Sequence, residues 1–145
     1  MPDKTLRAKS INESYRVLKN GGILVLAYIS RFSVFEYVAT SNKQYLKKDL
    51  ASKLINTGEL RSSDEDCFWT DCYFATPSEM VGEVETRNMK VIDHLASDEI
   101  SPILRESVDG LSDEEFRRWC EHHYNICREP SILEASNHGL LIAKK

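Results

Sequence analysis

Residues 23–29 read Ile-Leu-Val-Leu-Ala-Tyr-Ile, an apolar run with no charge and no alternation of polar and apolar side chains. A strand buried on both faces has this signature, and such strands sit inside parallel sheets covered by helices. Few other stretches read as strands that could flank it, so the placing of this one strand constrains the whole fold. A helix precedes it. Pro2-Asp3 opens that helix, with Asp3 as its N-cap. Ile11, Tyr15 and Leu18 keep helical spacing and mark a buried stripe. Arg16 and Lys19 lie in the last turn, where cations suit the helix dipole. Asn20-Gly21-Gly22 then ends the helix, because Asn and Gly accept the left-handed conformation.

Downstream, residues 30–58 read as a helical insertion. Ser33 caps a short helix through Val38, and Asn42 a longer one through Asn56. Leu46, Leu50 and Leu54 give the second helix a narrow apolar stripe, Lys43, Lys47, Lys48 and Lys53 form a solvated face, and Gly58 ends it. Residues 59–75 are the least regular. A polar loop (61–66) is followed by Phe68, Trp69, Tyr73 and Phe74, which either wall a substrate pocket or anchor the loop to the core. Thr76-Pro77-Ser78-Glu79 is a strong helix start, with a capping box between Thr76 and Glu79 and proline at the first helical position. That helix runs to about Arg87, with Asn88 as its cap, and residues 90–95 form a second strand. Ser97 or Asp98 caps a further helix carrying Ile100, Ile103, Leu104 and Val108, closed by Gly110. Ser112 and Glu115 make a second capping box, with Leu111 stapled onto Phe116, for a helix reaching Cys127; Pro130 prevents its extension. Asn137-His138-Gly139 is a turn and residues 140–143 a last short strand. Three strands with helices between them point to an α/β fold, and 145 residues to one domain.

The composition excludes several classes of function. Charged residues make up 29% of the chain and the net charge is −4, without the basic excess of a nucleic-acid binder. No apolar run reaches the roughly 20 residues of a membrane helix, and the N-terminal residues have no secretory core. With four cysteines and no such signal, reduced thiols in the cytoplasm are expected rather than a disulfide frame. The glycines cannot be assembled into a Gly-x-Gly-x-x-Gly or P-loop motif, and Gly21-Gly22 precedes a strand instead of following one. Cys120, His123 and Cys127 share one helix, but about 10 Å of helix rise separates the two cysteines, so no metal site is expected there. No Gly-x-Ser-x-Gly elbow is present.

The stretch Glu13-x-x-Arg16-Val17-Leu18-Lys19-Asn20-Gly21-Gly22 resembles the Glu-x-x-Arg-Val-Leu-Lys-Pro-Gly-Gly signature of class I S-adenosylmethionine-dependent methyltransferases, with Asn20 in place of proline. In that family the signature covers the helix before the fifth strand and runs into the strand itself. Thr76-Pro77-Ser78-Glu79 is similar to the start of the helix before strand six, residues 91–95 to strand six, and residues 138–145 to an antiparallel seventh strand with a basic tail. The resemblance spans nearly the whole chain but only the C-terminal half of the family domain.

The resemblance implies an α/β fold, the C-terminal half of a Rossmann-like methyltransferase. About three strands, the last antiparallel, would carry helices and a helical lid insertion (33–75) within one partial domain (1–145). No position matches the family's glycine-rich loop or its ribose-binding acid. S-adenosylmethionine is therefore expected for the complete family domain and not for this chain, which alone is expected to be inactive. In open α/β sheets ligands lie beyond the carboxyl ends of the parallel strands. That puts Tyr28, Ile29, Ser30, Arg31 and Phe32 at a pocket mouth, and an antiparallel last strand brings His138 to the same end. Tyr28, Arg31 and His138 are thus the substrate-side candidates; a surface ion pair for Arg31 and a turn role for His138 are the plainer alternatives. Residues 33–58 and 68–74 would form the lid. Without a fourth strand, the strand from Ile23 to Tyr28 exposes an unpaired edge. Either a homodimer through it or a chain supplying the missing half is expected, the alternative function being that of a non-catalytic, self-associating half-domain.

Overall fold

The computed structural model describes residues 1–47 and 49–145; Lys48, one of the lysines assigned to a solvated face, lies outside them. In chain order the elements are α1 (Lys4–Val17), β1 (Ile23–Ile29), α2 (Ser33–Ser41), a 3-10 turn (Lys43–Lys47), α3 (Asp49–Thr57), β2 (Glu59–Leu60), β3 (Cys72–Tyr73), α4 (Pro77–Glu85), β4 (Lys90–Ala96), α5 (Arg105–Asp109), α6 (Asp113–Ile126), α7 (Pro130–Ala135) and β5 (His138–Lys144). The fold is mixed α/β, with a small antiparallel sheet of three strands in the order β1-β5-β4.

Asp3 caps α1, its carboxylate accepting from the Leu6 N–H at 2.9 Å. The helix stops at Val17, before the Asn-Gly-Gly sequence, and Leu18 is already extended. Lys145 explains the early stop: its Nζ donates to the carbonyls of Tyr15 (2.7 Å) and Leu18 (2.8 Å), which the helix end leaves without intrahelical partners. Lys19 therefore lies beyond the helix. Asn20-Gly21 makes the turn into β1, with Gly21 at φ +79°, a conformation that glycine adopts without steric cost.

β5 runs antiparallel to both neighbours, from Ile23↔Lys144 to Ile29↔His138 on one side and from Lys90↔Lys144 to Ala96↔Gly139 on the other. β1 and β4 are thereby parallel to each other. Leu24, Leu26, Leu141, Ala143 and Val91 pack with Val84 and Met89 under α4, and with Tyr15 of α1 and Leu18 just beyond its end. Arg87 ties the two helices together, donating to Asn12 Oδ1 at 2.6 Å and to the Ala8 carbonyl at 3.2 Å. The opposite side of β1 is uncovered: Ile23 is 46% and Val25 52% exposed. This corrects the expectation of a strand buried on both faces inside a parallel sheet. β1 is an edge strand, and only one of its faces has helices to cover it.

At the carboxyl end of β1 the outer edge is occupied by Ala75, whose N–H donates to the Ile29 carbonyl (3.0 Å) and whose carbonyl accepts from the Arg31 N–H (2.9 Å). Strand groups alternate in direction, so Ile23, Val25 and Ala27 turn their N–H and C=O outward. Among the described residues no strand pairs with them.

The insertion has its own core. Val34 and Val38 of α2, Leu50 and Leu54 of α3, Leu60 and Phe74 are buried together, with Ile29, Tyr45 and Phe68 against them. The single helix expected from Asn42 to Asn56 is replaced by the 3-10 turn and α3. The turn's three-residue period moves Leu46 outward, to 52% exposure, and sets Tyr45 against the core. Both capping boxes are present, at Thr76/Glu79 and Ser112/Glu115. The helix expected from Ser97 or Asp98 shrinks to the five residues of α5, and Ile100 and Ile103 are exposed.

Gly139 sits in β5 under the ring of Tyr28, and a Cβ there would collide with that ring. The ring cannot swing aside freely, because it is buried and its hydroxyl bonds His94 Nε2 at 2.8 Å. Gly139→Ala is expected to lower stability by about 1–3 kcal/mol through overpacking. Urea denaturation of G139A, Y28L and the double variant will show a double-mutant coupling; strict additivity would mean that the ring is not what the glycine accommodates.

Candidate functional site

The antiparallel pairing of β1 with β5 brings the end of one strand to the beginning of the other: Ile29 pairs with His138, and Ser30 N–H donates to the Asn137 carbonyl at 2.7 Å. A cavity of about 400 Å³ opens at this junction. Its walls are Ile29 and Val34, the rings of Tyr37, Phe68, Trp69 and Phe74, and the polar side chains of Asn137 and His138. Tyr37 and Phe68 have ring centroids 5.5 Å apart. Trp69 is 60% exposed at the rim, whereas Phe74 is buried. The aromatic run of the insertion thus anchors it through Phe74 in its core and also lines the cavity with Phe68, Trp69 and Phe74.

His138 is held by Asp98. Its Nδ1 lies 2.6 Å from Asp98 Oδ2, while Asp98 Oδ1 accepts from Ser136 Oγ (2.7 Å) and from the His138 backbone N–H (3.0 Å). Facing an ionised carboxylate, which only accepts, a neutral imidazole carries its proton on Nδ1 and presents Nε2 as an acceptor. Glu36 of α2 stands nearby. Burial pushes its carboxyl above the usual range, a bond from Asn137 pulls it down, and the charge of Asp98 pushes it up further. Asp98 looked like a helix cap in the sequence. Its partners lie 38 and 40 residues away, and no local pattern points to them.

The other two candidates lie elsewhere. Tyr28 is buried on the helix-covered face, bonded to His94, and burial pushes its hydroxyl up to about 12. Burial also holds the His94 imidazole below its usual range, against the pull of Asp93. Arg31 is 8% exposed. Its Nε donates to the Phe74 carbonyl (3.3 Å) and its Nη2 to Tyr73 Oη (3.1 Å) and to both Glu79 oxygens (2.7 Å each). Gly58 makes room for the guanidinium, at φ +70°. Arg31 thus pins the insertion to α4, and of the three candidates His138 alone lines the cavity.

Further along the chain, His123 Nδ1 lies 2.8 Å from Glu99 Oε1, and Cys120 is exposed while Cys127 is buried. Among the described residues no group of three or more His, Cys, Asp or Glu is placed to hold a metal ion, and no helix is long and apolar enough to cross a membrane.

Glu79 has two tasks, accepting from the Thr76 N–H at 2.9 Å as the capping-box carboxylate and pairing with Arg31. Burial raises its pKa, but bonds from Thr76, Tyr73 and Arg31 together hold the carboxyl below the ordinary glutamate range. A depressed carboxylate stabilises the fold above the unfolded-state pKa, and that contribution is lost as pH falls through the folded-state value. Arg31→Met is expected to cost about 1–3 kcal/mol at pH 7, the Glu79 end being partly solvated. The gap from wild type should narrow as pH falls below about 4. Urea midpoints across that range check this, and a gap constant with pH would exclude Glu79 as the partner that matters.

No protein-family model and no curated protein matches the chain.

Proposed function

We propose that this chain is the substrate-side half of a class I S-adenosylmethionine-dependent methyltransferase domain, a Rossmann-like fold completed by a segment or partner chain that binds the cofactor. The observation that carries the reading is the state of β1. It follows directly on the methyltransferase-like signature, no strand among the described residues pairs with its outer edge along residues 23–27, and its uncovered face presents Ile23 and Val25. An antiparallel sheet with one solvated face ordinarily alternates apolar and polar residues. A contiguous apolar face beside an open edge is the surface of an interface. The antiparallel last strand and the ligand-sized cavity at the carboxyl end of β1 support the same reading.

The residues present do not fit the cofactor. After β1 the chain enters α2 through Ser30-Arg31-Phe32, and after β4 it passes residues 97–104; neither connection contains a glycine. Neither is a turn in which the backbone closely approaches a bound nucleotide. The chain's own contribution is the aromatic cavity, with His138 held by Asp98, and the insertion that roofs it.

A second reading shares the same surface: a non-catalytic half-domain in which two copies pair through β1. A symmetric interface of this kind is a common way to satisfy an open edge. Both readings require β1 to be covered.

Two measurements test these proposals. Calorimetric titration of the chain with S-adenosylmethionine is expected to give no saturable heat; saturable binding at micromolar cofactor would sink the half-domain reading. Sedimentation is expected to give a dimer or larger species, and Val25→Lys a monomer. A wild-type monomer at high concentration would exclude self-association and leave the completing chain as the reading.

A further inference from the structure

We propose that the cavity at the head of β5 binds a neutral aromatic molecule carrying one hydrogen-bond donor, such as a phenol or an N–H heterocycle, with its ring against Phe68 and Trp69 and its donor on His138 Nε2. As a substrate class this rests on the reading of the chain as a substrate-side half; as a binding site it stands on the cavity alone.

Three features of the site converge on this chemistry. The first is shape and wall composition. At about 400 Å³ the cavity lies within the range of small-molecule sites, which are mainly apolar with a few placed polar groups. Four aromatic rings line it, and rings are bound by offset or edge-on stacking between such walls.

The second is polarity. The Asp98 carboxylate selects the tautomer of a neutral His138, because its Oδ2, 2.6 Å from Nδ1, can only accept from an Nδ1–H. Asp98 is itself fixed by Ser136 and by the His138 N–H, so the imidazole is oriented before any ligand arrives. Nε2 remains an acceptor with no partner among the described residues, on a side chain that is 52% exposed. Asn137 lines the same wall. An unmet acceptor such as Nε2 favours a ligand that brings a donor.

The third is charge. The ionisable groups around His138 are Asp98, which bonds it, and Glu36 of α2, which feels the charge of Asp98. Among the described residues no Lys or Arg lines the cavity. An anionic ligand at His138 would lie in the field of the Asp98 carboxylate with no cation among the described lining residues, and like charges at close range are costly.

The test compares three naphthalenes of nearly equal size, by calorimetry on the full chain at pH 8 without cofactor: 2-naphthol, its methyl ether 2-methoxynaphthalene, and 2-naphthoate. Saturable binding of 2-naphthol is expected, at least tenfold tighter than the ether, with the carboxylate weakest. His138→Phe is expected to retain an apolar cavity and erase the preference for naphthol over ether. Trp69→Ala, a change at the exposed rim, is expected to weaken both equally. Equal affinity for naphthol and ether, a preference that survives in H138F, tightest binding of the carboxylate, or no saturable heat with any of the three would each overturn the proposal. These outcomes are separate from the cofactor titration. Saturable binding of S-adenosylmethionine would remove the half-domain reading and leave this site standing, whereas equal binding of naphthol and ether would do the reverse.

Discussion

The backbone ladder of β5 is the constraint on which the rest of the molecule depends. β1 and β4 share no backbone ladder; each pairs with the strand between them, and the Tyr28–His94 side-chain bond spans the gap. Because β5 runs opposite to both, they are forced parallel, and their carboxyl ends meet the start of β5. That geometry puts His138 beside Ile29 and opens the cavity there. It also puts Gly139 beneath the Tyr28 ring, where a larger residue would not fit. The last residues of β5 reach back to α1, and Lys145 satisfies the carbonyls at the end of that helix.

A second constraint is electrostatic. Arg31 is nearly buried, and burying a guanidinium is tolerable only with close acceptors. It finds them in Glu79 and in the backbone of the insertion. The same carboxylate caps α4, so the end of β1, the insertion and α4 are fixed by one cluster of bonds. Through the Phe74 carbonyl this cluster reaches a residue of the cavity wall, while the rim carries exposed aromatic rings such as Trp69.

What the sequence made legible is what neighbouring residues decide among themselves. Asp3, Thr76 with Glu79, and Ser112 with Glu115 cap helices as their spacing indicated, because each capping bond spans three residues. β1 was legible as a strand, but its burial was not, since composition says that a surface is apolar and not whether anything covers it. Leu46 failed because a 3-10 turn replaces the α-helical period on which its stripe relied. The head of β5 read as a turn, though His138 and Gly139 already pair with β1. The bond between Asp98 and His138 joins residues 40 apart, and an aspartate after a strand looks the same whether it caps a helix or orients an imidazole. His138 was legible as a candidate through the resemblance; its partner was visible only in three dimensions.

The order of the strands in space also has a consequence in time. The central strand of the sheet is synthesised after every other described element. A chain emerging from a ribosome can form α1, the insertion and α4 locally, but its first two sheet strands have nothing to pair with until β5 is available. Contacts closing over more than a hundred residues carry a loop-entropy cost that slows folding. During that interval β1 is exposed along the edge that β5 will fill and along the outer edge of residues 23–27, the state most open to pairing with another chain. Vectorial synthesis therefore holds this strand ready for a partner well before the domain can close on itself.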